Sequence, residues 1–445
     1  MVIINIKKRQ TMKKYSIIFA AAALVFAACN KAEIDAPSQD VNPSVETELI
    51  TVELDPMTKT SLSGMNTVWS KDDAVSVTVG GKNLGSLIWV EGTTFSGEIE
   101  AGHDGDAILN YPAGVTSVPA SQAAVENSFA NGAALLEGTT TVDALRAGEG
   151  TTLENKTALL QFSVAQAGDV TFEVGAKTYK VTNCAKGKIY YACVAPATNV
   201  SFTARIDGYL SKKASNNVSF NENKISALST LPAPVESGWV VAGAYNNWKI
   251  DDTAKKLYND VSGIVVKNFT PTGAFKLVLV EENKWYSTMV PAAGDKKWSL
   301  LKENMADMNR ASGTYDLWVS TEGKEVCLVN AGSNVPSITD ANRQYYIVLQ
   351  HNWDWSNRKL YSWNAANNQA LTGDWPGNAP KGTFTYQNDG YSYWEIPSSI
   401  YGKKLGIIFS NNGGDQTQDK FIDNYRDDKR YWLEWKDPNR VANEF

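Results

Sequence analysis

From residue 49 onward the chain keeps repeating one pattern, short runs in which apolar and polar residues alternate: AVSVTV at 74–79, LLQFSV at 159–164, DVTFEV at 169–174 and NVSFTARI at 199–206. Successive side chains on an extended backbone point to opposite faces, so each run has one face to bury and one to wet. Helical periodicity is scarce. Clusters of Gly, Asn, Asp and Pro punctuate the runs, as tight turns require, and the pattern predicts an all-β, multidomain chain of β-sandwich modules. At 445 residues the chain exceeds one ordinary domain, and a prior of about 150 residues per domain suggests roughly three. The Pro-bearing polar segments LPAPVESG at 231–238 and AGSNVPSITD at 331–340 read as linkers. They divide the chain into regions 49–232, 236–331 and 340–445.

Ahead of the strands, MKKYSIIFAAAALVFAAC spans Met12 to Cys29 as a basic stretch, an apolar stretch and small residues before a cysteine. This order resembles a bacterial lipoprotein signal, with Phe26 where such signals more often carry a small aliphatic residue. It implies that Cys29 carries a lipid anchor and that the protein is an outer-membrane lipoprotein facing the cell surface. The apolar run falls short of the ~20 residues of a membrane span. Residues 30–48 are polar and poor in large apolar side chains, which predicts a flexible tether.

The charge balance narrows the function. Acidic residues number 48 and basic residues 42, with no long run of either sign, which argues against a nucleic-acid surface and suits a neutral ligand. Only 2 His and 4 Cys occur, too few for a His-rich zinc site or a paired CxxC knuckle. Neither a metal nor a cofactor is expected. An exported chain can form disulfides, and Cys184 and Cys193 lie close enough in sequence to bridge neighbouring strands or to remain two unrelated buried thiols. Cys327, between Val326 and Leu328, reads as a core residue.

Tryptophan is unevenly spread, with two in the first region, five in the second and seven in the third. In the third, LYSWNAANNQALTGDWPG at 360–377 surrounds its aromatics with amides and small polar residues rather than aliphatics. An aromatic ring covers the C–H face of a sugar, and an Asn or Gln amide both donates to and accepts from the hydroxyls at its rim. A polar turn over a buried Trp would give a similar string.

Three resemblances add to this reading. TKTSLSG at 58–64, VWSKDDAVSV at 68–77, TTFSGEI at 93–99, YPAG at 111–114 and NKTALLQFSV at 155–164 resemble fimbrillin-like domains of Gram-negative surface lipoproteins, implying a β-sandwich scaffold over 49–232. Asp72, Asp73 and Glu98 there read as solvated turn residues rather than a catalytic pair. GWVVAGAYNNWKID at 238–251, GAFKLVLVEENKWYS at 273–287 and SGTYDLWVSTEGKEVCLV at 312–329 resemble the small β-sandwich modules of outer-membrane starch-binding lipoproteins. Trp248, Trp285 and Lys276 are the candidates for a second sugar face. YYIVLQHNW, LYSW, DWPG, YSYWEIP and LGIIFSNNGGDQTQD follow one another in the order seen in starch-binding modules of carbohydrate-binding module family twenty-six.

That last resemblance implies a β-sandwich gripping α-glucan through aromatics. Trp363 falls on the family's stacking tryptophan, and Tyr361 shares its face because residues i and i+2 point the same way. Where the family commonly has tyrosine on its first strand this chain has Gln350 and His351, with Trp353 or Trp355 as substitutes. The loop SNNGGDQTQD at 410–419 would supply polar contacts through Gln416 and Thr417, Gly413 and Gly414 allowing close approach. A calcium site on Asp415, Asp419 and Asn411, or an ordinary hairpin loop, are the alternatives for that loop. Trp375 reads as packing under its turn, and Trp394, Trp432 and Trp435 as core or edge residues. The expected function is non-catalytic, surface-held binding of starch, amylopectin or maltooligosaccharides beside glycan-degrading or uptake proteins. The rival is a fimbrial or adhesin protein.

Overall fold

The computed structural model describes residues 45–56, 69–130, 132–351, 355–433 and 442–444. Cys29, the residues proposed as signal and most of the tether lie outside them. The described part is nearly all β, with 54% of residues in strands and 4% in helices, as the alternation predicts. Residues from Thr47 onward form one compact unit.

The first region departs from a single sandwich. Its front half is a closed barrel of the strands Thr47–Pro56, Thr94–Glu100, Lys82–Glu91, Ala74–Val79, Asp106–Tyr111, Leu136–Thr141 and Thr151–Asn155, in that spatial order. A parallel pairing of Leu54 with Thr151 closes it, leaving no free sheet edge. A sandwich follows, a five-stranded sheet around Gly168–Val174 facing a three-stranded sheet around Ala158–Ser163. The two halves have separate cores. The strand Ile189–Val194 divides them: Tyr190, Ala192 and Val194 face the sandwich core, whereas Cys193 faces the barrel core. Gln122, buried between the two, donates to Cys193 O at 2.6 Å and accepts from Cys193 N at 2.9 Å, standing in for a missing strand neighbour. Cys184, on the preceding strand Lys177–Cys184, lies in the sandwich core, so the two sulfurs are in different cores and both are free thiols. Burial pushes each up to about 12.

In the middle region the expected sandwich is one nine-stranded sheet, running from Ser299–Leu300 at one edge to Lys302–Glu303 at the other. Val326 and Leu328 near the first edge share a core with Phe275, Leu277 and Trp239 nearer the second, so the sheet curls over on itself. The third region is a sandwich as expected. Strands Gly382–Tyr386, Asp389–Ile396, Tyr345–Gln350, Lys429–Leu433 and Ala442–Glu444 face strands Gln369–Ala370, Arg358–Asn364, Leu405–Asn411 and Lys420–Ile422. Ile347, Leu349, Leu360, Ile407 and Phe409 fill the space between.

The segment 331–340 does not behave as a loose linker. Val335 and Ile338 pack on the cluster holding Trp298 and Trp318, and the Trp298 indole N–H donates to Pro336 O at 2.8 Å. The outer face of the third region's larger sheet, Tyr346, Val348 and Tyr391, packs on Met289, Val290 and Ala293 of the middle region. Ion pairs rim the contact: Lys297 to Glu395 at 3.0 Å, Lys302 to Asp427 at 2.7 Å, and Arg426 to Asp340 through two bonds of 2.8 and 2.9 Å. The first and middle regions meet where Tyr209 packs against Tyr258, ring centroids 4.3 Å apart and planes tilted by 44°, and Arg205 pairs with the buried Asp260 carboxylate.

Asp428 lies buried beside the middle–third contact, its Oδ1 accepting the Tyr346 N–H at 2.7 Å. Burial pushes its carboxyl up to about 7, against the opposing pull of that bond and of Lys302. A carboxyl whose folded value is raised binds more protons folded than unfolded. Its contribution is therefore complete below the unfolded value near 4 and is lost as pH rises through 7, a fall of roughly 3–4 kcal/mol. Urea melts from pH 4 to 8 should show Asp428→Asn, whose amide oxygen still accepts from Tyr346, losing this step while the native chain keeps it.

Candidate functional site

The strand Arg358–Asn364 alternates as a half-buried strand should: Leu360 and Ser362 face the core at 0% exposure, and Tyr361 and Trp363 face outward. Register then decides what Trp363 meets. It stands opposite Gly406, which in turn stands opposite Phe421 on the next strand. A Cβ at Gly406 would overlap the indole, so its absence lets Trp363 lie flat across the strand and reach Phe421, edge to face, with centroids 5.8 Å apart at 84°. Tyr361 stacks on Trp363 at 5.7 Å and 27°, and Trp375 meets Tyr361 edge-on at 5.7 Å and 72°. Four rings thus form one outward patch. Trp363, at its centre, is only 8% exposed, whereas Trp375 is 42% and Phe421 49% exposed.

Trp375 owes its place to a turn strapped onto the same strand. Gly377 N donates to Asp374 O at 2.8 Å, and Leu360 and Asn378 exchange two backbone bonds of 3.0 Å. Gly377, at φ +87° and against the Leu360 carbonyl, leaves no room for a side chain. The 410–417 loop closes on the other side: Gly413, at φ +81°, lies against the Trp375 Nε1 edge and Pro376. Its N–H donates to Ser410 Oγ at 3.2 Å. Asn357 and the loop are tied by Asn357 N to Asn411 Oδ1 at 3.0 Å and Asn412 N to Asn357 O at 2.9 Å. Gln416 projects exposed from this rim. Lys404 stands over the Phe421 ring at 5.2 Å and pairs with Asp423 at 3.4 Å.

Several expectations need correction. Trp355 is 1% exposed and packs in the sandwich core, so it cannot replace a surface tyrosine. Thr417 is 2% exposed and turned inward, its N–H donating to Phe409 O at 2.9 Å and its Oγ1 accepting from Phe409 N at 3.0 Å. Trp375, expected under its turn, lies open. Gln350 and His351 close the strand in the opposite sheet from Tyr361; the His351 ring lies on Gly390 and bonds Ser392 Oγ at 2.9 Å. Burial, then the charge of Arg358, lowers its pKa, so the ring is neutral at neutral pH. Trp353 and Trp435 lie outside the described residues. Trp394 is buried, as a core residue. Among the described residues no group of three or more His, Cys, Asp or Glu is placed to hold a metal ion. Phe421 was missed because its neighbours in DKFIDN signal an edge strand and nothing more.

The middle region brings its candidates together. Asn246 is buried, accepting from Gly243 N at 3.0 Å and donating to Lys249 O at 2.7 Å. These bonds fix the YNNW turn, in which Asn247 and Trp248 both take positive φ, 55° and 61°. The turn aims Trp248 at Trp285, centroids 6.3 Å apart and planes 47° apart. Lys276 shares a strand face with Val278, the cross-strand partner of Trp285, and pairs with Asp307 at 3.3 Å.

Residues 347–422 match the family model described as starch-binding module 26, CBM26. The match indicates starch or α-glucan binding, and such a module binds rather than catalyses. It spans all four rings of the outward patch. No curated protein matches the chain. Among solved structures, the chain is similar to a candidate cell adhesion protein from Bacteroides thetaiotaomicron VPI-5482, at 11% identity, over 40% of this chain and 91% of that one, with a TM-score of 0.25.

Gly406 offers a direct check on the patch. Gly406→Val should force Trp363 off its strand and destabilise the chain by about 1–3 kcal/mol, the usual cost of overpacking. Urea melts would measure the loss, and near-UV circular dichroism the changed indole setting. An unaltered spectrum at full stability would mean that Trp363 does not lie on this glycine.

Proposed function

We propose that the protein is a non-catalytic, lipid-anchored binding protein that holds starch or a related α-glucan at the cell surface for neighbouring degradation or uptake machinery. One observation carries the reading: the stretch matched by the starch-binding family contains an open cluster of aromatic rings with a polar loop at its rim. Rings turned against one another suit a curved α-1,4-glucan, since each plane covers one glucose and the turn between planes follows the chain; a flat polymer would want coplanar rings. Trp375 and Phe421 offer the open area, Trp363 and Tyr361 hold them in register, and the Gln416 amide reaches toward vicinal hydroxyls. The tilted Trp248–Trp285 pair, with Lys276 beside it, is a second and smaller hold of the same kind.

Covering roughly 100 Å² of apolar sugar face contributes about 2–3 kcal/mol, which even before orientation costs corresponds to a Kd of only ~10 mM for one ring. Polymer is then held by repetition of weak contacts. Trp375→Ala combined with Phe421→Ala should weaken binding to amylopectin in affinity gels by about tenfold to a hundredfold, without unfolding, because both rings are largely exposed. Retardation equal to the native chain would remove the patch from the reading, and no binding by the native chain would favour the adhesin alternative.

The anchor rests on Cys29 and the apolar stretch before it. Cys29→Ser should leave the protein unprocessed or released from membranes, because the lipid thioether needs the sulfur. Membrane pelleting unchanged from the native chain, with no lipid label lost, would overturn the lipoprotein assignment.

A further inference from the structure

We propose that the Trp248–Trp285 pair is one end of a longer α-glucan groove that crosses into the third module and is completed by its hairpin tip, residues 386–388. This rests on reading the pair as a glucan contact. The register of the middle sheet pairs Tyr286 with Glu303 and Ser287 with Lys302, which sets Asn304 across from Trp285, and Asn304 N donates to Trp285 O at 3.4 Å. On Asn304 the third module makes its contact: the Tyr386 hydroxyl donates to the Asn304 carbonyl. Gln387 Nε2 then donates to the Tyr386 hydroxyl at 3.1 Å. The chain of bonds from the Trp285 backbone to the hairpin tip is unbroken.

Geometry and chemistry at the tip agree with that role. Gln387 and Asn388 take φ of 51° and 70°, the paired positive values of a tight hairpin turn, and both side chains are exposed. Neighbouring strands lie about 4.8 Å apart, so the tip stands one strand spacing plus the reach of the Tyr386 side chain from the strand carrying Trp285. A glucan a few sugars longer than the aromatic pair can cover spans that gap. Two amides are what its hydroxyl rim would meet. The tip is also held in place beforehand: Phe384 stacks on Tyr391 at 5.2 Å and 14°, and the Tyr386 ring packs on the cluster of Met289, Val290 and Ala293. No ordering of the loop is then required on binding.

The test uses the full chain carrying Trp375→Ala and Phe421→Ala, which silences the third module's own patch. Calorimetry with maltotriose and with maltoheptaose compares this background with the further pair Gln387→Ala and Asn388→Gly, the glycine keeping the turn. Losing two hydrogen-bonding amides should weaken maltoheptaose about five- to tenfold and maltotriose less than about twofold, retained maltotriose binding doubling as the check on folding. Maltoheptaose affinity unchanged by the tip substitutions but abolished by Trp285→Ala would end the groove within the middle module. Equal losses for both sugars would make the tip a structural support only. If Trp285→Ala leaves maltoheptaose binding in that background untouched, or if the background binds neither sugar, the aromatic pair is not a glucan contact and the groove falls with it.

Discussion

Trp298 determines how the second half of the molecule is assembled. Fully buried, it donates its backbone N–H to Asn342 O and accepts from Gln344 N, each at 2.8–2.9 Å, while its indole N–H bonds Pro336 O. A segment rich in Ser, Asn and Pro is thereby zipped to the middle sheet as if it were another strand. Each such bond is worth only about 1 kcal/mol net, but together with the apolar contact at Tyr346 and Val348 they turn a connection that should swing into one that is fixed. Both aromatic sites inherit their positions from this. Arg343 reinforces it with two bonds to Glu325 at 2.6 and 3.1 Å.

Rigidity changes what the two proposed glucan contacts could do. On a loose tether each would engage the polymer separately and gain only from local concentration; on a fixed frame their spacing and orientation select which chain conformations can touch both. The open rings sit at the flanks of the third-module patch and the buried one at its centre. Trp363 therefore acts as a keystone whose removal would loosen its neighbours as well as any contact of its own. The Gly406–Trp363 register is the reason, and it is a property of sheet pairing rather than of any local motif.

What could be read from the sequence follows the range of the physics. Alternation is local, so the all-β class and the existence of strands were visible in runs such as AVSVTV and DVTFEV, whereas the third-region sandwich was implied by the resemblance carried by YYIVLQHNW, LYSW and LGIIFSNNGGDQTQD. Trp363 and Tyr361 on one face followed from the two-residue period. Closure of the first region into a barrel was not visible, because it depends on Leu54 meeting Thr151 across nearly a hundred residues. Burial of Trp355 and Thr417 likewise depends on what folds over them. Trp375 and Phe421 became surface rings only when Gly377 pinned one to its strand and Gly406 aligned the other. Among the middle-region candidates, the resemblance named Trp248 and Trp285 together, and what the sequence did not carry was the pairing through the strand Phe275–Leu279 that brings the two distant segments into contact.

The placement of Cys184 and Cys193 has a consequence for how such a chain must be made. They are near neighbours in sequence yet face different cores, and at a pKa of about 12 neither holds appreciable thiolate in the folded protein. Resistance to oxidants is thus a product of folding rather than of chemistry, and it begins only when both cores have closed on the strand between them. Until then any oxidant present would find these two thiols separated by a short loop, and a bond between them would join side chains that belong in two different cores. In an oxidising environment the sandwich and barrel would therefore have to close before that reaction for both thiols to reach their native cores.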